Sequence, residues 1–285
     1  MREPTKAARR ALWPTLALVA ILLLSAGLRF YRLDGQSLWN DEGTSVALAQ
    51  RSLGEITRAA AADIHPPLYY YLLHGWVRLW GPSEAGARSL SALLGVVLVA
   101  LVYLWGRRLF GRLAGLVAAL LVAVSSFQVY YAQEARMYML LAFLGVASSY
   151  CFHLAWLEPR PRRWGWAVGG WIVASALALY AHYLAITLLL AQGLVWLASV
   201  AVRLRRQQVD PAGLRLLVGS WAGAQALAAV LYLPWLRLTW AQLQRWPAVS
   251  EPFGLLELLR RALPLFALGP TVPVAALRWL VALVL

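Results

Sequence analysis

Three short stretches hold most of the side chains that could do chemistry. Leu38-Trp39-Asn40-Asp41-Glu42-Gly43 sets two carboxylates side by side. Asp63-Ile64-His65-Pro66-Pro67-Leu68 places an acid two positions before a histidine, and Gln133-Glu134-Ala135-Arg136 spaces an acid and an arginine by two. Adjacent carboxylates suit general-base work or the binding of a hard cation. A histidine at the entry to a helix can add a donor or a positive charge to a phosphate site. Arg88 offers the same to an anion, or simply snorkels toward the membrane surface. A further pair, His182-Tyr183, stands between two long apolar runs. Each group also has a plainer reading. Asn40 can cap a helix whose positive end favours Asp41 and Glu42. The two prolines can end one helix and open the next, and Glu134 with Arg136 can be a structural ion pair. His74 and His153 read as packing residues.

These groups must be positioned by a membrane protein. Of the 285 residues 61% are hydrophobic and 13% charged, too little polar surface to cover a water-facing globule. Apolar runs of bilayer-spanning length recur, and the alternating ten-residue segments of a β-barrel are absent. The class is therefore all-α and polytopic, with about eight spans. They are predicted near Leu12 to Leu28, Ser89 to Trp105, Leu113 to Tyr131, Met137 to Leu157, Trp164 to Tyr180, Tyr183 to Val202 and Leu214 to Leu236. An incomplete eighth begins after Leu263. The first run follows Arg2, Lys6, Arg9 and Arg10 and reads as an uncleaved span with a cytoplasmic N-terminus. Cys151 is the single cysteine and forms no intrachain disulfide.

Between Pro66 and Trp80 lies an apolar stretch shorter than the ~17 residues a span needs. Leu68, Leu72, Trp76 and Leu79 form one stripe and Tyr70, His74 and Arg78 another, the pattern of an interfacial amphipathic helix. That reading gives a first outer loop over residues 29–88 and places three clusters inside: Arg107, Arg108 and Arg112; Arg160, Arg162 and Arg163; Arg203, Arg205 and Arg206. Most of the net charge of +14 is thus topology signal and not a nucleic-acid surface. Residues 1–236 form the predicted transmembrane catalytic module. Residues 237–285 form an outer loop and a further span, and hydrophobic sequence running to Leu285 suggests part of a longer protein.

With this topology Asp41, Glu42, Asp63, His65, Arg88, Glu134, Arg136, His182 and Tyr183 all fall on the outer side, where they can form one polar cavity. Mid-depth ionisable residues are scarce, which favours chemistry at the outer leaflet over the alternative of a transporter or lipid flippase using that cavity as a vestibule. No glycine-rich phosphate loop is present, so no nucleotide substrate is indicated. Four histidines without ligand spacing argue against zinc, while the carboxylates leave room for a divalent cation.

In their order, Asp41-Glu42, His65-Pro66-Pro67-Leu68 and Gln133-Glu134-Ala135-Arg136 resemble the GT-C membrane glycosyltransferases. The resemblance is to the branch of protein O-mannosyltransferases and lipid A aminoarabinose transferases (glycosyltransferase family 39), and it extends to about Gln192 with a similar His182-Tyr183. Two positions depart from it: Tyr70 stands where mannosyltransferases have Lys after the double proline, and His65 where aminoarabinose transferases usually have Lys. The resemblance implies inverting transfer of a hexose or pentose from a polyprenyl-phosphate carrier to a glycan, lipid or protein acceptor outside the cytoplasm, in the cell envelope. Asp41 then takes the acceptor proton and Glu42 orients it. Arg88, Arg136 and His65 stabilise the leaving phosphate, which needs no general acid. Glu134 fixes Arg136 or binds the sugar.

Overall fold

The computed structural model describes residues 6–159, 161–244 and 254–270, and among them the chain is helical with no β-strand. Among the described residues six helices are long and apolar enough to cross a membrane: Leu12–Phe30, Glu84–Phe110, Tyr138–Leu157, Arg162–Ala181, Ala185–Arg205 and Pro211–Leu238. The pair Arg112–Val124 and Ser126–Ala132, bent by 59°, makes a seventh if it is one broken span and a re-entrant loop otherwise. The sequence reading of eight spans is thus met by six or seven. A short helix at Leu255–Leu268 ends at Gly269, and the remainder of the expected eighth span lies outside the described residues. Outward-facing Leu23 and Leu194 are each 68% exposed, a burden in water but the natural lining of a surface that meets hydrocarbon.

In chain order the helices are α1 (Lys6–Phe30), α2 (Asn40–Ala49), α3 (Leu53–Ala62), α4 (Leu68–Trp80), α5 (Glu84–Phe110), α6 (Arg112–Val124), α7 (Ser126–Ala132), α8 (Tyr138–Phe152), α9 (Pro161–Ala181), α10 (Ala185–Arg205), α11 (Pro211–Gln244) and α12 (Leu255–Leu268). Close packing sorts them into two compact units. One comprises Met1–Thr44, Trp80–Met139 and Pro247–Leu285, the other Ser45–Leu79 and Leu140–Trp246.

In the first unit α5 and α6 touch backbone to backbone. A Cβ added to Gly115 would stand 2.7 Å from the Arg107 nitrogen and 2.9 Å from the Tyr103 carbonyl oxygen, so glycine is what permits the approach. The bend between α6 and α7 strands carbonyls at the end of α6, which hydrocarbon cannot hydrate. Arg29, fully buried at the end of α1, supplies the missing donors: Nη1 bonds the Ala123 carbonyl at 2.9 Å and Nη2 the Val122 carbonyl at 3.0 Å. Gly95 makes room for it, since a Cβ there would lie 2.7 Å from the Arg29 Nε.

In the second unit Trp156, Trp171, Trp196 and Trp221 pack with Phe152 into one aromatic core. Gln192 of α10 accepts from Trp171 Nε1 of α9 at 2.8 Å and donates to Ser148 Oγ of α8 at 3.2 Å, so one buried amide ties three spans. Ser52 and Glu55 form the expected capping box at the start of α3. The 13-residue α4 is short, as expected, yet its faces are reversed from a simple amphipathic reading. Tyr70 and His74 are buried, with His74 Nδ1 2.7 Å from the Ala49 carbonyl oxygen, while Leu72 and Leu79 are exposed. In a membrane protein the apolar stripe can be the one that faces lipid.

Candidate active site

The first unit assembles its polar cluster from three elements: the loop after α1 with the first turn of α2, the first turns of α5, and the 133–137 turn between α7 and α8. Trp39 is the residue before α2, and Asn40 is the first helical residue instead of its cap: the Gly43 amide bonds the Trp39 carbonyl at 2.9 Å. Glu42, on that first turn, reaches back to accept from the Trp39 amide at 3.3 Å. It is fully buried. Arg88 grips it with two donors, Nε to Oε1 at 2.9 Å and Nη2 to Oε2 at 2.6 Å, and the Ala135 amide adds a fourth bond at 2.8 Å. The other donors of Arg88 bond the carbonyls of Leu33, Gln36 and Ser37 at 2.7, 2.7 and 3.1 Å. All five guanidinium donors are therefore spent on the protein. Arg88, expected as an anion ligand, is instead the clasp that closes the 33–42 loop over a buried carboxylate, and a phosphate could reach its donors only by breaking those bonds.

Asp41, one residue earlier, faces the other way. Its side chain is 42% exposed and stands 3.5 Å from Arg136 Nη2. Arg136 also donates to the Asp41 carbonyl at 3.4 Å and lies over the Tyr138 ring with 6.0 Å to its centroid. The 133–137 turn is pinned to the end of α1 by Gln133, whose Nε2 donates to the carbonyls of Leu28 and Tyr31 at 3.2 and 2.9 Å.

Glu134 differs from both acids. It is 7% exposed, bonds Tyr130 with its side chain, and leaves Oε2 without a hydrogen-bond partner. Burial raises its carboxyl above the usual range. The Tyr130 bond opposes this, the charge of Glu42 adds to it, and Arg136 and Arg88 pull it back. Glu134 lines a cavity of about 460 Å³ together with Trp39, Glu42, Arg88, Tyr130 and Gln133. A second of about 390 Å³ adds Tyr131 and Tyr138 and shares Trp39, Arg88, Tyr130 and Glu134. The tyrosines meet edge to face, Tyr131 lying 5.2 Å from Tyr130 and 4.9 Å from Tyr138 between centroids. Rings that stack against C–H faces, beside a carboxylate, form a surface suited to a polyhydroxylated ring. Asp41 and Arg136 are not in the lining of either cavity.

The second unit brings together Asp63, His65, His182 and Tyr183. His65 Nδ1 lies 3.3 Å from Asp63 Oδ2, and the His65 ring meets His182 edge to face with centroids 5.9 Å apart. The Leu184 amide donates to His182 Nδ1 at 3.1 Å, leaving Nε2 to carry the proton of the neutral ring. Tyr183 accepts from Trp235 Nε1 at 3.2 Å. The nine sequence candidates thus fall into two clusters, five in the first unit and four in the second. In each unit the cluster lies at the end of the spans opposite the arginine-rich turns.

Among the described residues no three acidic, histidine or cysteine side chains converge closely enough to hold a metal ion. A cation on Asp41 and Glu42 would have to displace Arg136 from the first and four N–H donors from the second. Sequence reasoning gave no role to Arg29, Gln133 or Tyr130. The legible signal for Arg29 was Ser125-Ser126 inside an apolar run: a break in a span creates stranded carbonyls, and a nearby arginine can serve them.

The protein family described as dolichyl-phosphate-mannose-protein mannosyltransferase matches residues 64–218. No curated protein sequence matches the chain. Among solved structures, the Saccharomyces cerevisiae protein O-mannosyltransferase Pmt1-Pmt2 complex bound to the sugar donor aligns with a TM-score of 0.64 at 17% identity, over 81% of this chain and 34% of that one. ArnT from Cupriavidus metallidurans in the apo state gives 0.55 at 17% identity, over 88% and 46%. The Archaeoglobus fulgidus oligosaccharyltransferase in the apo form gives 0.50 at 18%, over 96% and 39%. At these identities the structures share the GT-C-like fold, and the chain spans less than half the length of each. The family match covers more than half of the chain, His65, Glu134, Arg136 and His182 included, and the chain belongs to the dolichyl-phosphate-mannose-protein mannosyltransferase family.

Proposed function

We propose that the protein is an inverting glycosyltransferase that moves a sugar from a polyprenyl-phosphate carrier to a glycan, lipid or protein acceptor on the outer face of the cell membrane. The observation that carries this reading is the division of labour between the adjacent carboxylates. Glu42 accepts four N–H bonds and is fully buried, so it serves neither as base nor as nucleophile; it fixes the first turn of α2. Asp41 keeps an exposed carboxylate oriented by Arg136. One available carboxylate of the pair suits a single displacement, in which it takes the acceptor proton as the hydroxyl attacks the anomeric carbon and the phosphate leaves.

The leaving phosphate is already a stable anion and asks only for donors. Arg136 is assigned to it by residue type, and His65, His182 and Tyr183 of the second unit are assigned to substrate binding. Arg88 acts at one remove, through Glu42. Glu134, with its unpartnered oxygen beside Trp39 and the tyrosines, is assigned to hydroxyls of a sugar ring. Ser148, Ser175 and Gln192, the polar groups buried between spans α8, α9 and α10, are neutral and bond one another, which favours an enzyme over an ion-coupled transporter. Supplying membranes that carry the protein with a polyprenyl-phosphate sugar of known anomeric configuration tests the proposal. The product should carry the opposite configuration by NMR; retention, or uptake of the lipid without transfer, contradicts it.

A further inference from the structure

At the arginine-rich end of the second unit, far from His65 and His182, a cavity of about 590 Å³ opens among Ala155, Trp164, Arg203, Arg215, Leu216 and Gly219. Trp164 and Ala181 lie 17 residues apart on α9, which separates this cavity from the His182 turn by about 26 Å along the helix axis. We infer that it is a binding site for an anionic membrane phospholipid, the phosphodiester headgroup held by Arg203 and Arg215 and an acyl chain lying along its apolar wall.

Arg203 is held by backbone carbonyls that a break in the preceding span leaves free of the ladder. After α8 the chain makes a π-helical turn, His153–Leu157, which displaces carbonyls from the regular ladder. Arg203 Nη2 donates to two of them, Trp156 at 2.6 Å and Leu157 at 3.3 Å. That anchors a half-buried guanidinium at the wall of the cavity, with Nε and Nη1 left for a ligand. Arg215 spends only Nε, on the Pro211 carbonyl at 3.3 Å. No carboxylate contributes to the lining. Two guanidiniums facing a largely apolar recess are matched to a ligand that is anionic at one end and greasy at the other.

The surroundings point the same way. Residues 158–163 and 203–215 hold seven arginines against Glu158 and Asp210, a field that concentrates acidic lipid at this end of the spans. Trp164, 38% exposed, sits where an indole marks the boundary between headgroups and hydrocarbon. Leu216, 76% exposed, extends the apolar wall into lipid. A zwitterionic headgroup would bring a cation against the arginines and is disfavoured.

Gly219 provides a steric test independent of charge. A Cβ added there meets nothing within 4 Å, so Gly219→Leu fills the recess without disturbing the helix packing. The purified full chain in detergent is titrated with phosphatidylglycerol, phosphatidylcholine or inorganic phosphate while its thermal unfolding midpoint is followed. Phosphatidylglycerol should raise the midpoint saturably, and the other two should not. Arg215→Gln should weaken the apparent affinity about fivefold. Gly219→Leu should abolish the response while matching wild type in phosphatidylcholine. Equal effects of the two lipids, an equal effect of inorganic phosphate, or a full response in Gly219→Leu would each overturn the inference.

Discussion

Replacing Arg88 by Met should release the 33–42 loop, and the size of the effect follows from the hydrogen bonds it removes. The substitution takes away the two charged donors of Glu42, leaving a buried carboxylate with only the Trp39 and Ala135 amides. It also strips the carbonyls of Leu33, Gln36 and Ser37 of their partner. Removing one member of a buried ion pair costs about 3–5 kcal/mol, because the survivor stays buried without compensation. At 1.4 kcal/mol per factor of ten, the opening equilibrium of the loop should rise roughly a hundredfold to a few thousandfold. Hydrogen exchange of peptides spanning residues 33–42 and 133–137 reads this directly, since the Trp39 and Ala135 amides donate to Glu42. Glu42→Gln should act in the same direction, because a side-chain amide brings a donor toward groups that are all donors. The double variant Arg88→Met with Glu42→Leu should lose less than the two single effects combined, as no buried charge remains. Wild-type exchange at both amides in Arg88→Met would refute the clasp.

Two further outcomes follow from buried polar groups. Arg29→Met leaves the Val122 and Ala123 carbonyls at the bend between α6 and α7 without donors and should cost about 2 kcal/mol, read as a lowered thermal midpoint in detergent; an unchanged midpoint would show that lipid or water serves them. Because burial raises the Glu134 carboxyl above its ordinary value of 4.5, the folded state holds that proton to higher pH than the unfolded chain. Its contribution to stability therefore falls as pH rises from the ordinary carboxyl range toward the raised folded value. Glu134→Gln should match wild type at low pH and become progressively the more stable of the two as pH rises through that window. A difference between their midpoints that does not change with pH would show that the carboxyl is not perturbed.

Features set by neighbouring residues are legible in the amino-acid sequence. The Ser52–Glu55 capping box is a four-residue pattern, and span positions follow from runs of apolar residues that no fold can hide from lipid. Features set by distant partners are not. Arg88 stands out as an arginine among candidate ligands, but its exhaustion by Glu42 and three carbonyls depends on a loop whose path is not local. Arg29 looks like the first residue of an outer loop, and only the bend between α6 and α7 gives it a task. Helix α4 is legible in length and not in orientation, because a stripe such as Leu72 and Leu79 can point to a core or to lipid with equal chemical sense. The acids of the Asp41-Glu42 pair look alike in sequence. The fold separates them into one sealed and one exposed carboxylate, and the proposed mechanism turns on that separation.

The most direct test of the central claim is transfer of labelled sugar from a polyprenyl-phosphate donor in membranes carrying wild-type or Asp41→Asn protein. Wild type should transfer, and Asp41→Asn, with the Glu42–Arg88 clasp intact and the thermal midpoint unchanged, should lose on the order of a hundredfold to ten-thousandfold in rate. Transfer by Asp41→Asn at the wild-type rate would contradict that claim.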